Sequence, residues 1–247
     1  MDKKSRIVEV CLLAGKIMLE SGAETYRVED TMNRIAAAFG VLTSHSFVTP
    51  TGIIFSTSET DKTNLIRISN RSTDLEKVVL VNSISRKISS GELSLADARK
   101  QLKEIDRADL AYPIWIQILA AALASGCFTI MFLGSWVDFV PACVTGGLGF
   151  AFFIFIHQIV RIKFFAEFIA SFIIGIIAYA FIAIGSGEEL EKIVIGSVMP
   201  LVPGLLITNA VRDLIAGHLM SGLAKGAEAF LTAFAIGTGI AVVLSIF

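Results

Sequence analysis

Asn209, Arg212 and Asp213 sit in an apolar stretch, GSVMPLVPGLLITNAVRDLIAGHLMSG (Gly196–Gly222), just after Pro200, Pro203 and Gly204. Asn209 and Asp213 are four residues apart and share a helical face, with Arg212 three residues from Asn209. An amide, a guanidinium and a carboxylate at that spacing can hold a polar solute or pass a proton. Each proline removes a backbone donor and clashes with the preceding turn. Two of them followed by a glycine should unwind the chain near mid-membrane. Irregular backbone at that depth survives only inside protein or beside a water-filled cavity. Secondary transporters use such broken helices to present free amides and carbonyls to a solute. The plainer alternatives are a simple proline kink and an Arg–Asp pair that anchors a helix end at the interface.

Other candidate groups are scattered. Glu24, Tyr26, Arg27 and Glu29 form a polar run at a helix start, which a solvated face or an inter-helix contact would also explain. Thr51 and Gly52 belong to TPTG, which has no lysine after it and so is no phosphate loop. His45 reads as a loop or strand-edge residue. His157 lies at the end of an apolar run, as an interfacial histidine or a proton-relay partner. Glu167 and Glu228 stand just inside segment ends, where they can snorkel. Cys11, Cys127 and Cys143 have no paired spacing and read as small hydrophobes. No HExxH, nucleophile elbow, Cys/His cluster or ATP-binding motif occurs. The expectation is no catalytic residue, metal or cofactor, and a transporter of this kind would run on gradients.

The elements that must position these groups follow from composition. The chain has 247 residues, 54% of them hydrophobic, with a mean hydropathy of +0.73, which points to the membrane class. Residues 1–110 hold sixteen Lys/Arg and fifteen Asp/Glu, and residues 111–247 only five and seven. A net charge of −1 gives no case for nucleic acid. The expected domains are therefore a small α+β domain at 1–110 and a transmembrane domain at 111–247. In the first, Ser5–Ser21 and the run ending at Gly40 form a helical hairpin. SFVTPTGIIFSTSE and TNLIRIS give two or three strands. Two helices follow, one capped by Ser72 or Thr73 and one by Ser94. Five spans are expected near 114–133, 137–160, 164–184, 193–210 and 229–247. The small pairs Ser171/Gly175 and Gly222/Gly226 suit close helix approach.

Arg161 and Lys163, then Arg212 and Lys225, put basic residues on alternate loops. The positive-inside rule then sets the polar domain in the cytoplasm and the C-terminus outside the cell membrane. The start, interrupted by Glu9, Lys16 and Glu20, is no secretory signal.

The first distinctive motif is IMLESGAETYRVEDTMNRIAAAFG. With TPTGI and MPLVPGLLITNAVRDLIAGHLMSGLAKGAEA, it resembles the threonine/serine exporter (ThrE) family, and more closely its short, split form. The resemblance runs from about Cys11 to Ala235. It carries over to Gly22, Glu24 and Arg27, to Pro50, Thr51 and Gly52, and to Pro200, Pro203, Gly204, Asn209, Arg212, Asp213 and Gly217. It implies export of threonine, serine or a dicarboxylate such as succinate, driven by the proton-motive force. It further implies a separate small membrane subunit similar to YjjB that completes the carrier.

The resulting expectation is a subunit of a secondary exporter of small polar metabolites, in contact with lipid, with a homo-oligomer as a further expected partner. The alternatives are a regulatory or assembly subunit of a membrane complex, and a membrane-bound hydrolase.

Overall fold

A computed structural model describes residues 3–58, 61–160 and 162–247. Glu59 and Arg161, which entered the strand and loop expectations, lie outside the described residues. The chain is mostly helical with one small sheet, and it divides into two compact units. The first takes the chain up to Ala111 together with Leu205–Gly226, and the second takes Tyr112–Gly204 with Ala227–Phe247.

In the first unit, α1 (Lys3–Glu20) and α2 (Thr25–Ala38) form the expected hairpin. Gly15 of α1 lets the helices close up, since a Cβ there would fall on the Met32 side chain. Strands β1 (His45–Thr49), β2 (Gly52–Ser56) and β3 (Asn64–Arg67) make an antiparallel meander in the order β1-β2-β3. Val48 pairs with Ile53, and Ile53 with Ile66. The inward residues Val48, Ile53 and Phe55 join Val10, Met18, Met32 and Ile35 in one core. α3 (Leu75–Ser89) and α4 (Leu95–Arg107) complete it through Val81, Ile84 and Leu102. Ser94 caps α4, accepting from the Asp97 amide. The cap of α3 is Asp74, which accepts from the Lys77 amide, and not Ser72 or Thr73. Ser72 is instead tied to the end of α1, its amide donating to the Glu20 carbonyl at 2.8 Å and its hydroxyl to the same carbonyl at 3.5 Å.

The second unit holds α5 (Ile114–Met131), α6 (Trp136–Val160), α7 (Lys163–Ala183) and α8 (Leu190–Val198). Beyond a break come α9 (Gly204–Ile215) and α10 (Leu219–Ile246). Among the described residues four helices are long and apolar enough to cross a membrane, and the bent pair on either side of the break makes a fifth if it is one span. The break falls where the prolines predict. A single 3-10 turn, Met199–Leu201, replaces the α-helix at Pro200. Val202 is extended, as a residue before proline must be. The helix that holds the last expected span, 229–247, starts at Leu219.

Small residues set the contacts within this unit. Gly147 meets Ala122, Gly149 meets Ile174, and Gly196 meets Thr129 and the Ser125 carbonyl. Ser171 and Gly175 of α7 receive Gly239 and Val243 of α10. Where lipid is as apolar as leucine, such close approach supplies much of the attraction between helices.

Candidate functional site

Asn209, Arg212 and Asp213 converge within the first unit on the turn between α1 and α2. Gly22 there takes a φ of +89°, which a glycine tolerates and other residues resist. Four consecutive residues then each grip α9 or α10. The Gly22 carbonyl accepts from Asn209 Nδ2 at 2.8 Å. The Ala23 carbonyl accepts from Lys225 Nζ at 3.4 Å. The Glu24 carboxylate accepts from Arg212 Nη1 at 2.6 Å. Thr25 donates its amide to Asp213 Oδ1 at 2.9 Å and its hydroxyl to Oδ2 at 2.8 Å.

Asp213 is the centre of this network and is fully buried. Its Oδ2 also meets Lys225 Nζ at 2.7 Å, and the lysine side chain is only 5% exposed. Lys225 donates further to Thr25 Oγ1 at 3.2 Å. The carboxylate occupies the first free amide of α2, whose own N-cap, Glu24, makes no side-chain cap. A negative charge is favoured at that end of a helix. Opposite charges, a helix dipole and matched hydrogen bonds together hold an ion pair that burial alone would expel.

A second layer of contacts surrounds the pair. Glu24 also meets Arg27 at 3.4 Å. Burial pushes the Glu24 carboxyl up, but its backbone amide, Arg212 and Arg27 outweigh this and hold it below the ordinary value. Glu29 accepts from the Val48 amide at 2.9 Å and stands 3.8 Å from His218 Nδ1. Burial holds the Glu29 carboxyl above its ordinary value, against the pull of the Val48 amide and His218. Ser221 donates to the Val48 carbonyl at 3.1 Å.

Asn209, Arg212, Asp213, Glu24 and Arg27 are thus brought together. Thr51 lies in the β1–β2 turn and Gly52 opens β2, paired with Thr49; both stand outside the network, and Thr51 is exposed. His45 opens β1 and is exposed. Pro200, Pro203 and Gly204 make the break itself. His157 stacks on Phe153. Glu167 and Glu228 flank Lys163, at 3.9 and 3.3 Å. Among the described residues no group of three or more His, Cys, Asp and Glu could hold a metal ion.

Lys225, Thr25, Ser221 and His218 were not singled out by sequence reasoning. Lys225 had counted only as a loop charge. The signal available was Ser221 and Lys225 four apart, on a helix whose other face carries Leu219, Met220 and Leu223.

The family model described as "Putative threonine/serine exporter" (ThrE) matches residues 9–247. A "Probable threonine/serine exporter" of Mycobacterium tuberculosis is 25% identical over 233 residues, covering 92% of this chain and 44% of that protein. This chain therefore spans less than half of that relative. Two proteins called "Probable succinate transporter subunit YjjP", from Klebsiella aerogenes and Escherichia coli, are each 25% identical. They align over 99% of this chain and over 95% and 96% of their own lengths. No solved structure matches the chain significantly.

Proposed function

From the premise that the chain belongs to the threonine/serine exporter family, we propose that it is a subunit of a secondary exporter of threonine, serine or a dicarboxylate such as succinate. The observation that carries this reading is the family match over residues 9–247. The end-to-end alignment with the two succinate transporter subunits favours a subunit over a complete carrier. The second half would be a separate YjjB-like membrane protein, and export would be coupled to protons. The alternation of basic loops supports a cytoplasmic domain at residues 1–110 and an extracytoplasmic C-terminus in a cell membrane.

The site chemistry suits a carboxylate-bearing cargo. Arg212 and Lys225 are cations now held by Glu24 and Asp213. A substrate carboxylate could exchange with either acid for its cation, so that substrate and side chain compete for the same charge. The broken backbone around Pro200, Pro203 and Gly204 would line the substrate path. Asn209, Arg212 and Asp213 would gate it.

The test is efflux from cells preloaded with labelled threonine, serine or succinate, in an exporter-deficient strain. The chain is expressed alone and with a candidate partner half. Efflux of one cargo only when both are present supports the split carrier. No efflux in any condition favours a regulatory or assembly subunit. Asp213→Asn should abolish efflux while leaving membrane insertion intact, and full efflux in that variant would remove Asp213 from the mechanism.

A further inference from the structure

Glu167 lies just inside the start of α7, a helix apolar enough to cross a membrane, and is only 2% exposed. Its Oε1 is 3.9 Å from Lys163 Nζ on the same helix. That amine is committed to Glu228 of α10, to which it donates at 3.3 Å. Glu167 Oε2 is buried without a hydrogen-bond partner, and so is Thr232 Oγ1 on α10. The Thr232 hydroxyl lies beside the Glu167 carboxyl. Two neighbouring buried oxygens, on two helices, are therefore both unsatisfied.

The other buried acids differ. Asp213 accepts from an amide, a hydroxyl and an ammonium group. Asp138 also leaves its Oδ2 without a partner. Its Oδ1, however, takes the Glu188 and Glu189 amides at 2.7 and 3.3 Å, at the start of α8, where a negative charge is favoured. Glu167 accepts from no amide, and α7 begins a full turn before it. A buried carboxylate without such compensation is costly as an anion. The Thr232 hydroxyl could turn to Oε2 but would leave the charge in place, whereas a proton on Oε2 removes it. The new O–H donates to Thr232 Oγ1, and the threonine hydrogen is free to turn to the backbone carbonyl one helical turn back.

We propose that Glu167 is a proton-carrying residue of the second unit, with Thr232 as the group that receives its hydrogen bond. The proton comes from water onto Oε2 and returns from Oε2 to water, and only O–H bonds form and break. Lys163, on α7, and Glu228, on α10, are the charged neighbours among the described residues. A role for this proton in driving export rests on the exporter reading above, whereas the protonation itself does not.

The test uses the full chain alone in lipid nanodiscs, read by infrared difference spectroscopy between acid and alkaline buffer. A protonated-carboxyl carbonyl band is expected that disappears in Glu167→Gln, persists in Glu228→Gln and shifts in Thr232→Val. A band unchanged by Glu167→Gln overturns the proposal. If Glu167→Gln yields no monodisperse protein, Thr232→Val decides, and an unmoved band overturns it. A second arm reconstitutes the chain with its partner half in proteoliposomes. Glu167→Gln should lose efflux driven by a pH gradient yet keep exchange of internal for external substrate. Equal loss of both would make Glu167 part of the substrate path and overturn the proton role. If the unmutated pair moves no substrate at all, the exporter reading fails and the infrared result alone decides on Glu167.

Discussion

Removing Lys225 should damage the first unit more than removing Lys225 and the charge of Asp213 together. In Lys225→Met, Asp213 keeps the Thr25 amide and hydroxyl but loses the ammonium group at 2.7 Å. An uncompensated buried charge of this kind costs about 3–5 kcal/mol. Asp213→Asn leaves the reverse problem, a buried ammonium facing only Thr25 Oγ1 and the Ala23 carbonyl at 3.2 and 3.4 Å. In the double variant no ion is buried, and the residual cost is that of weakened hydrogen bonding, about 1 kcal/mol. At roughly 2–4 °C per kcal/mol for a chain of this size, each single substitution should lower Tm by about 6–20 °C and the double by only a few degrees. Cys11 supplies the assay. It is buried in the core of the first unit, and burial pushes its thiol up to about 12, so it reacts only when that unit opens. With Cys127 and Cys143 replaced by serine, thiol labelling during a thermal ramp reads the transition. A double variant that falls by the sum of the two singles would show that the residues do not act as a pair, and would refute the reasoning.

Three further outcomes follow from the same geometry. Glu24 is held below its ordinary value of 4.5, so its contribution to stability is complete above the unfolded value and is lost as pH falls through the lower folded one; Glu24→Gln should flatten that acid limb in a pH series of Tm. Gly196→Val should cost about 1–3 kcal/mol by overpacking, because a Cβ there meets Thr129 and the Ser125 carbonyl, whereas Gly226→Ala, with open space around it, should not lower Tm. Gly22→Ala should cost about 1–2 kcal/mol for its positive φ, read by the same labelling of Cys11.

What the sequence made legible was periodic or local. Apolar runs marked the membrane helices, alternation marked the strands, and Ser94 announced its own helix. Pro200 and Pro203 placed the break because their effect on the backbone is carried by the residue itself. Asn209, Arg212 and Asp213 stood out as polar groups in an apolar setting. The partners of these groups did not stand out. Thr25 lies 188 positions from Asp213, and no period or spacing rule links them. Lys225 looked like a topological charge because a lysine near a span end usually is one. The α3 cap is Asp74 and not Ser72 or Thr73, and the Ser72 hydroxyl is turned to the Glu20 carbonyl, a tertiary contact that no local propensity foresees.

The grip of Gly22–Thr25 on α9 and α10 has a consequence for biosynthesis. At 5–20 residues per second, about 10–40 s separate the making of Thr25 from that of Asp213. By the end of that interval the ribosome has made most of the first unit, with the start of α2 still uncapped and the cradle for Lys225 empty. The unit is closed only by the segment that emerges after the proline break. A stalled or truncated nascent chain would therefore display an unfinished domain, which gives quality-control proteases a direct measure of whether the later helices have arrived.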